Sequence, residues 1–295
     1  MPLTVKRTPN WSVPLWLLSC CWTTAASADP ALAPTPAVSG GIEYFHLKEM
    51  DLGGTRLLSE TGYRYVVRAL LDSAGRYDRS ATFLYHLEFA GYAGPVNYDG
   101  QSQSIDPTHD KLPFSTTTRY EGVRAAAVAG YRLTPETLSR SLDLLGGVGA
   151  DAWRRQIDSG TAIDGTGVSG IEEVYQVYYA KAGIGLSDLW TGGWHDQLQA
   201  GFKLPFKIIQ DVNLRAVGYD HNLRLFPRNA YSGFAQLVLE PPRGSGGNLL
   251  MSLYYEGLRL DPSPSKLVSH GSSIETVWQP ETHIDVFGLQ VGYRF

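Results

Sequence analysis

The last fourteen residues, Thr282 to Phe295, limit the possible folds more than any other stretch of the chain. They read THIDVFGLQVGYRF. Phe287, Leu289, Val291, Tyr293 and Phe295 fall on one parity, and Gly288, Gln290, Gly292 and Arg294 on the other. Side chains alternate between the two faces of a strand, so the segment is predicted as a strand with one apolar, aromatic face and one polar or nearly bare face. Strands of soluble barrels alternate too, but this one carries its aromatics to the final residue.

The other end of the chain narrows the choice. Lys6 and Arg7, the apolar run Val13-Pro14-Leu15-Trp16-Leu17-Leu18 and the small-residue site Ala26-Ser27-Ala28 have the order of a secretory signal. Residues 1–28 are therefore expected to be removed after Ala28. The alternative is lipid attachment at Cys20, in the box Leu17-Leu18-Ser19-Cys20. Both cysteines, Cys20 and Cys21, precede the expected cleavage site, so the mature chain has no disulfide and no thiolate metal site.

A closing strand that ends in Phe295, with Tyr293 and apolar residues on its parity, behind a secretory signal, resembles those of bacterial outer-membrane β-barrel proteins. The resemblance is to a class rather than to one named family. It implies residence in the outer membrane of a Gram-negative-type envelope, among outer-membrane lipids. It also implies that Phe287, Leu289, Val291, Tyr293 and Phe295 are the assembly signal read by the barrel-assembly machinery.

Charge and composition agree with that class. The formal net charge is −4 and becomes −6 without Lys6 and Arg7. No basic patch marks a nucleic-acid partner. After the signal no run of 18 apolar residues could form a transmembrane helix. Asp29 to Gly40 is rich in Pro and Ala and reads as a flexible leader, residues 29–40, ahead of a single barrel domain at 41–295.

Ten strands are predicted, over 41–49, 58–72, 80–93, 118–132, 141–156, 171–186, 196–206, 230–240, 248–260 and 283–295. The connections Ser73–Arg79, Leu133–Arg140, Ser187–His195 and Pro241–Gly247 are short. Those at Gly94–Thr117, Ile157–Gly170, Lys207–Asn229 and Asp261–Thr282 are long, and only Met50–Arg56 on that side is short. This asymmetry belongs to transmembrane antiparallel up-and-down β-barrels, with short turns in the periplasm and long loops outside. A strand hidden at Val212 to Val217 would raise the count to twelve.

The two parities divide the chemistry. Tyr63, Tyr65, Val67, Ala69 and Leu71, then Phe83, Tyr85, Leu87 and Phe89, are predicted to face lipid. So are Val123, Ala125, Ala127, Ala129 and Tyr131, and Leu198, Ala200, Phe202 and Leu204. Trp190 and Trp194 fall in a periplasmic turn, where an interfacial girdle would lie. The opposite parity carries Arg64, Arg68, His86, Glu88, Arg124, Asp143, Asp151, Arg155, Glu173, Lys181, Lys203, Glu256 and Arg294. Charges of both signs inside a narrow barrel must pair to offset desolvation, so they are expected to fill the lumen. A porin-like aqueous channel takes about 16–18 strands, more than this chain can form.

A second polar set lies in or near the outer loops: Asp106, His109 and Asp110 in one, Asp220 and His221 in another, and His270, His283 and Asp285 around the last. His beside Asp can activate a water or hold a divalent cation. The rim also invites comparison with the omptin outer-membrane proteases, which need an Asp-x-Asp and an Asp-x-His on strand tops. Asp220 and His221 are adjacent and would point to opposite sides of an extended strand, and no Asp-x-Asp partner is present. Ser252 and Ser269 lack a nucleophile-elbow context. No catalytic residue, metal site or cofactor is therefore assigned. Three functional classes stay open: surface loops that bind an extracellular ligand or serve a structural role, a narrow or gated solute path, and a rim hydrolase.

Overall fold

The computed structural model describes residues 33–73, 81–101, 112–134, 140–189, 194–242 and 248–295. Ten long antiparallel strands run in chain order: β1 Pro34–Met50, β2 Arg56–Ser73, β3 Phe83–Gln101, β4 Pro113–Arg132, β5 Arg140–Ile157, β6 Glu172–Leu189, β7 His195–Val212, β8 Ser232–Glu240, β9 Asn248–Asp261 and β10 Glu281–Arg294. Each pairs with its chain neighbours, and β10 returns to β1 from Ala37↔Arg294 to Met50↔Glu281. The Phe295 N–H adds a bond to the Pro36 carbonyl at 2.9 Å. The sheet is thus a closed up-and-down barrel.

The strand count is ten. No further spanning strand hides at Val212 to Val217: Val212 ends β7, and Leu214–Val217 is a short 3-10 helix followed by two small strands in the same sheet. Leu223–Leu225 pairs with the loop end of β7 and Arg228–Asn229 with that of β9. The proposed signal, residues 1–28, lies outside the described residues. The leader reading needs correction: Pro34 to Gly40 already belong to β1. Two prolines are tolerated there because they stand at the strand's first turn-end positions, where ladder bonds are fewest.

The strands are longer than the sequence reading allowed. β3 and β4 run through most of the predicted Gly94–Thr117 loop, and β7 reaches Val212. Eighteen residues at ~3.3 Å each, tilted near 45°, give a height of roughly 40 Å, against an apolar band of about 25 Å in such barrels. The outer surface changes accordingly. Near the short turns it carries Val38, Ile42, Tyr65, Val67, Phe89, Val123, Val148, Phe202, Leu253, Leu289 and Val291, all exposed. Near the long loops the outward positions become His46 and Lys48, Asn97 and Asp99, Arg119 and Glu121, Arg259, and His283 and Asp285. Aromatic pairs mark the limits of the apolar belt, with Tyr44–Tyr63 and Tyr255–Phe287 on the loop side and Phe83–Tyr131 and Tyr293–Phe295 on the turn side.

Inside, the order is reversed. The turn half of the lumen holds the charged parity, whereas the loop half holds a core of Phe45, Leu47, Leu58, Val96, Tyr98, Phe114, Tyr120, Trp153, Tyr175, Ile208, Leu258, Leu260, Ile284 and Val286.

Candidate functional site: the filled lumen and the loop-end cap

Three layers of ion pairs cross the lumen. At the turn end, Arg294 binds Asp72 at 2.7 Å and Glu240 at 3.1 Å. His86 Nδ1 lies 2.5 Å from the same Asp72, and its Nε2 lies 3.6 Å from Glu88, which Arg68 meets at 3.3 Å. A small apolar cluster of Ala37, Leu70 and Leu250 packs beside this layer.

In the middle, Arg64 meets Glu43 at 2.7 Å, and the Tyr254 hydroxyl donates to the same carboxylate at 2.6 Å. Arg124 lies 3.3 Å from both Asp151 and Glu256, and Lys203 lies 3.0 Å from Glu256 and 3.7 Å from Asp151. Lys181 approaches Glu256 at 3.7 Å. The cations also stand over rings: Arg64 is 4.2 Å from the Phe45 centroid and 4.3 Å from that of Tyr92, and Lys203 is 4.3 Å from that of Tyr179. These contacts compensate part of the desolvation of each charge.

At the loop end a single guanidinium holds three carboxylates. Arg155 lies 2.9 Å from Glu49, 2.7 Å from Glu60 and 2.8 Å from Glu173. Thr118 and Tyr120 donate to Glu60, and Tyr175 donates to Glu173 at 3.0 Å. Gln279 closes the mouth above them. Its amide donates to Glu49 at 3.3 Å and to Thr282 at 2.8 Å, and its carbonyl accepts from Gln210 at 2.6 Å.

Little space remains. The cavity between Arg68, His86, Lys181 and Tyr254 measures ≈20 Å³, and that between Arg64, Arg124, Lys203 and Trp153 ≈30 Å³. Each has room for a water or two. The glycines on the inward parity do not open a path either. A Cβ at Gly149 or Gly288 would collide with the Tyr179 or Tyr254 ring, so these positions seat aromatics.

All twelve lumen residues marked by parity, from Arg64 to Glu256, and Arg294 with them, take part in this system or border it. Asp143, for instance, pairs with Arg132 at 3.0 Å near the turn end. Glu43, Glu49, Glu60, Asp72, Arg132 and Glu240 join the system too, Glu60 and Asp72 on the parity of Arg64 and Arg68, and Arg132 on that of Arg124. Glu43 shares its inward parity with Phe45 and Leu47, on a strand for which the sequence reading assigned no faces.

Of the outer-loop set the structure describes Asp220, His221, His270, His283 and Asp285. Asp106, His109 and Asp110 lie outside the described residues, as does Trp190. Asp220 and His221 are exposed, and no ion pair involves either among the described residues. His283 stands at the loop end of β10 on the outer wall, 2.8 Å from Glu281, because its parity is that of Phe287. Asp285, beside it, accepts from Arg259 at 2.6 Å and Tyr255 at 2.8 Å. Among the described residues no group of three His, Cys, Asp or Glu is placed to hold a metal ion.

The loops do form an ordered structure. The hairpin Lys266–His270/Ser273–Val277 packs on the 3-10 turn through a core of Val212, Leu214, Leu223, Leu225 and Val268. The Asp220 N–H donates to the Ser269 carbonyl at 3.1 Å, and Tyr219 donates to Glu275 at 2.7 Å. Burial, with the Glu275 carboxylate beside it, pushes the Tyr219 hydroxyl up to about 12. Beyond this core the cap shows Leu267 and Ile274 to solvent.

No protein-family model matches the chain, and no curated protein matches it. Among solved structures it is similar to the outer membrane protease OmpT from Escherichia coli, with 10% identity and a TM-score of 0.58 over 92% of this chain and 99% of that one. The translocator domain of the autotransporter NalP from Neisseria meningitidis matches with 12% identity and a TM-score of 0.40 over 88% of each chain. The transport unit of the Escherichia coli autotransporter AIDA-I matches with 12% identity and a TM-score of 0.38, over 95% of this chain and 94% of that one. The chain has the fold of bacterial outer-membrane β-barrels. Proteins of that fold differ in role, and at these identities the likeness is one of fold alone.

Proposed function

We propose that the protein resides in the outer membrane as a barrel that passes no solute, and that its loop end is a rigid platform for binding at the cell surface. The observation that carries this reading is the lumen, crossed by three ion-paired layers and stoppered by Gln279. Opening it would separate several buried charges from their partners, each at a cost of about 3–5 kcal/mol. The cap supports the second half of the reading. It has its own apolar core and stands on a part of the barrel taller than the apolar belt, where recognition loops are commonly held. The ligand it would meet is extracellular.

Planar-bilayer recording tests the closed lumen. The purified barrel is expected to give no steady conductance of porin size. Steady conductance that survives deletion of residues 264–278 would overturn the reading in favour of transport. Orientation is tested by Ser272→Cys, since both native cysteines precede the expected cleavage site. Labelling by a membrane-impermeant maleimide on intact cells is expected, and protection until the cells are broken would invert the barrel. The outward row Phe287 to Phe295 is the surface we assign to the assembly machinery. Phe295→Asp is expected to lower outer-membrane yield while secretion continues, and an equal yield of heat-modifiable barrel removes that role.

A further inference from the structure

Between β7 and β8 the ladder of the barrel wall is interrupted over six residues on each strand. β8 pairs with β7 from Glu240↔His195 to Ser232↔Lys203, and the pairing resumes with Leu225↔Gln210 to Leu223↔Val212. The register on the two sides of the break is continuous, so residues 204–209 face 226–231 without forming a ladder. Arg228 and Asn229 still run alongside β7 while pairing with β9. Two causes are visible in the sequence. Pro205 and Pro227 remove backbone donors. The continuous register also sets Lys207 opposite Arg228, and like charges directly opposite destabilise a strand pair.

On the β6 side the register shifts between Tyr178 and Tyr179, so that Lys207 and Pro205 are paired and Phe206 is the extra residue. Phe206 and Lys207 therefore both point outward. Phe206 is 65% exposed and Tyr231 82% exposed, at the place where the apolar belt ends on these strands. Lys207 stands 5.7 Å from the Tyr178 ring, and neither it nor Arg228 makes an ion pair among the described residues. Asp261 opposes Arg228 across the β9 pairing but makes no ion pair with it.

We propose that this break is a binding site for a phosphate-bearing lipid of the outer leaflet. The phosphate lies between Lys207 and Arg228, and an acyl chain runs down over Phe206 and Tyr231. Three features meet here: two cations without a carboxylate bridge among the described residues, exposed aromatics directly below them, and backbone groups of residues 204–209 left without ladder partners on the β8 side. A headgroup supplies acceptors for both the cations and the freed N–H groups. The proposal rests on the membrane residence proposed above, and its test separates the two.

The barrel is refolded into mixed phosphatidylcholine and phosphatidylglycerol vesicles and extracted in mild detergent, and retained lipid is counted by native mass spectrometry. Insertion is scored on the same samples by heat-modifiable mobility, so loss of membrane residence is told apart from loss of the site. Wild type is expected to retain phosphatidylglycerol over phosphatidylcholine by roughly tenfold. The Lys207→Gln/Arg228→Gln double variant is expected to lose that preference while inserting normally, and Lys48→Gln, on a different part of the wall, to keep it. Equal preference in the double variant and wild type overturns the site. So does displacement of the lipid by inorganic phosphate alone, which would show that the cations take a free anion and the aromatics contribute nothing.

Discussion

On β1 the outward side chains near the turns are Val38, Ile42 and Tyr44, and near the loops they are His46 and Lys48. The inward ones run Ser39 and Glu43, then Phe45 and Leu47. The same exchange occurs on β10, where Ile284 and Val286 face inward above the belt while Phe287, Leu289 and Val291 face outward within it. One continuous strand thus follows the rule of a membrane barrel for half its length and that of a soluble protein for the other half. The solvent around the wall decides which parity is apolar, and the change from lipid to water falls where two apolar residues stand side by side, as at Tyr44-Phe45 and Val286-Phe287. Backbone pairing is indifferent to this change and runs through it.

The largest expected effect tests the loop half as a closed core. Arg155→Leu strands Glu49, Glu60 and Glu173 together in a buried site and is expected to cost about 3–5 kcal/mol. Urea unfolding in lipid vesicles measures it, and a loss below about 1 kcal/mol would mean that water reaches this layer freely.

Next comes the belt. Ala127→Arg places a charge on the lipid face of β4 and is expected to cost about 2–4 kcal/mol, and Gln199→Arg, on the inward parity of β7, less. The opposite order would reverse the assignment of faces.

The smallest effect sharpens the boundary. Asn97→Arg lies on the same outward parity of β3 as Phe89, above the belt, and is expected to change stability by no more than about 0.5 kcal/mol. A cost near that of Ala127→Arg would move the membrane surface up to the loops.

Much of this architecture was legible. The ten strands and the inward positions of Arg64, Arg68, Arg124, Asp151, Lys203 and Glu256 follow from period-two alternation in the belt. The strand ends did not, for a physical reason. At Phe45, Val96 and Ile208 the apolar parity switches, so the pattern that defines the strand breaks down although the strand continues. Prediction therefore stopped β3 at residue 93 and β7 at residue 206. The same switch hid Glu49, which sits inward beside Phe45 and Leu47. The cap was illegible because its core is assembled from separate loops, with Leu214 and Val268 meeting only in the folded chain.

The antiparallel seam between β1 and β10 carries a kinetic consequence. It joins the first described strand to the last, so its formation waits for the whole intervening chain to be arranged, and such distant pairings are slow to form. Until β10 docks, β1 and β9 each present an unpaired edge, and open edges recruit strands from other molecules. The final strand is therefore a latch as well as a wall. A chain truncated before Glu281 is expected to associate edge to edge, with β1 of one molecule taking β9 of another in place of the missing partner.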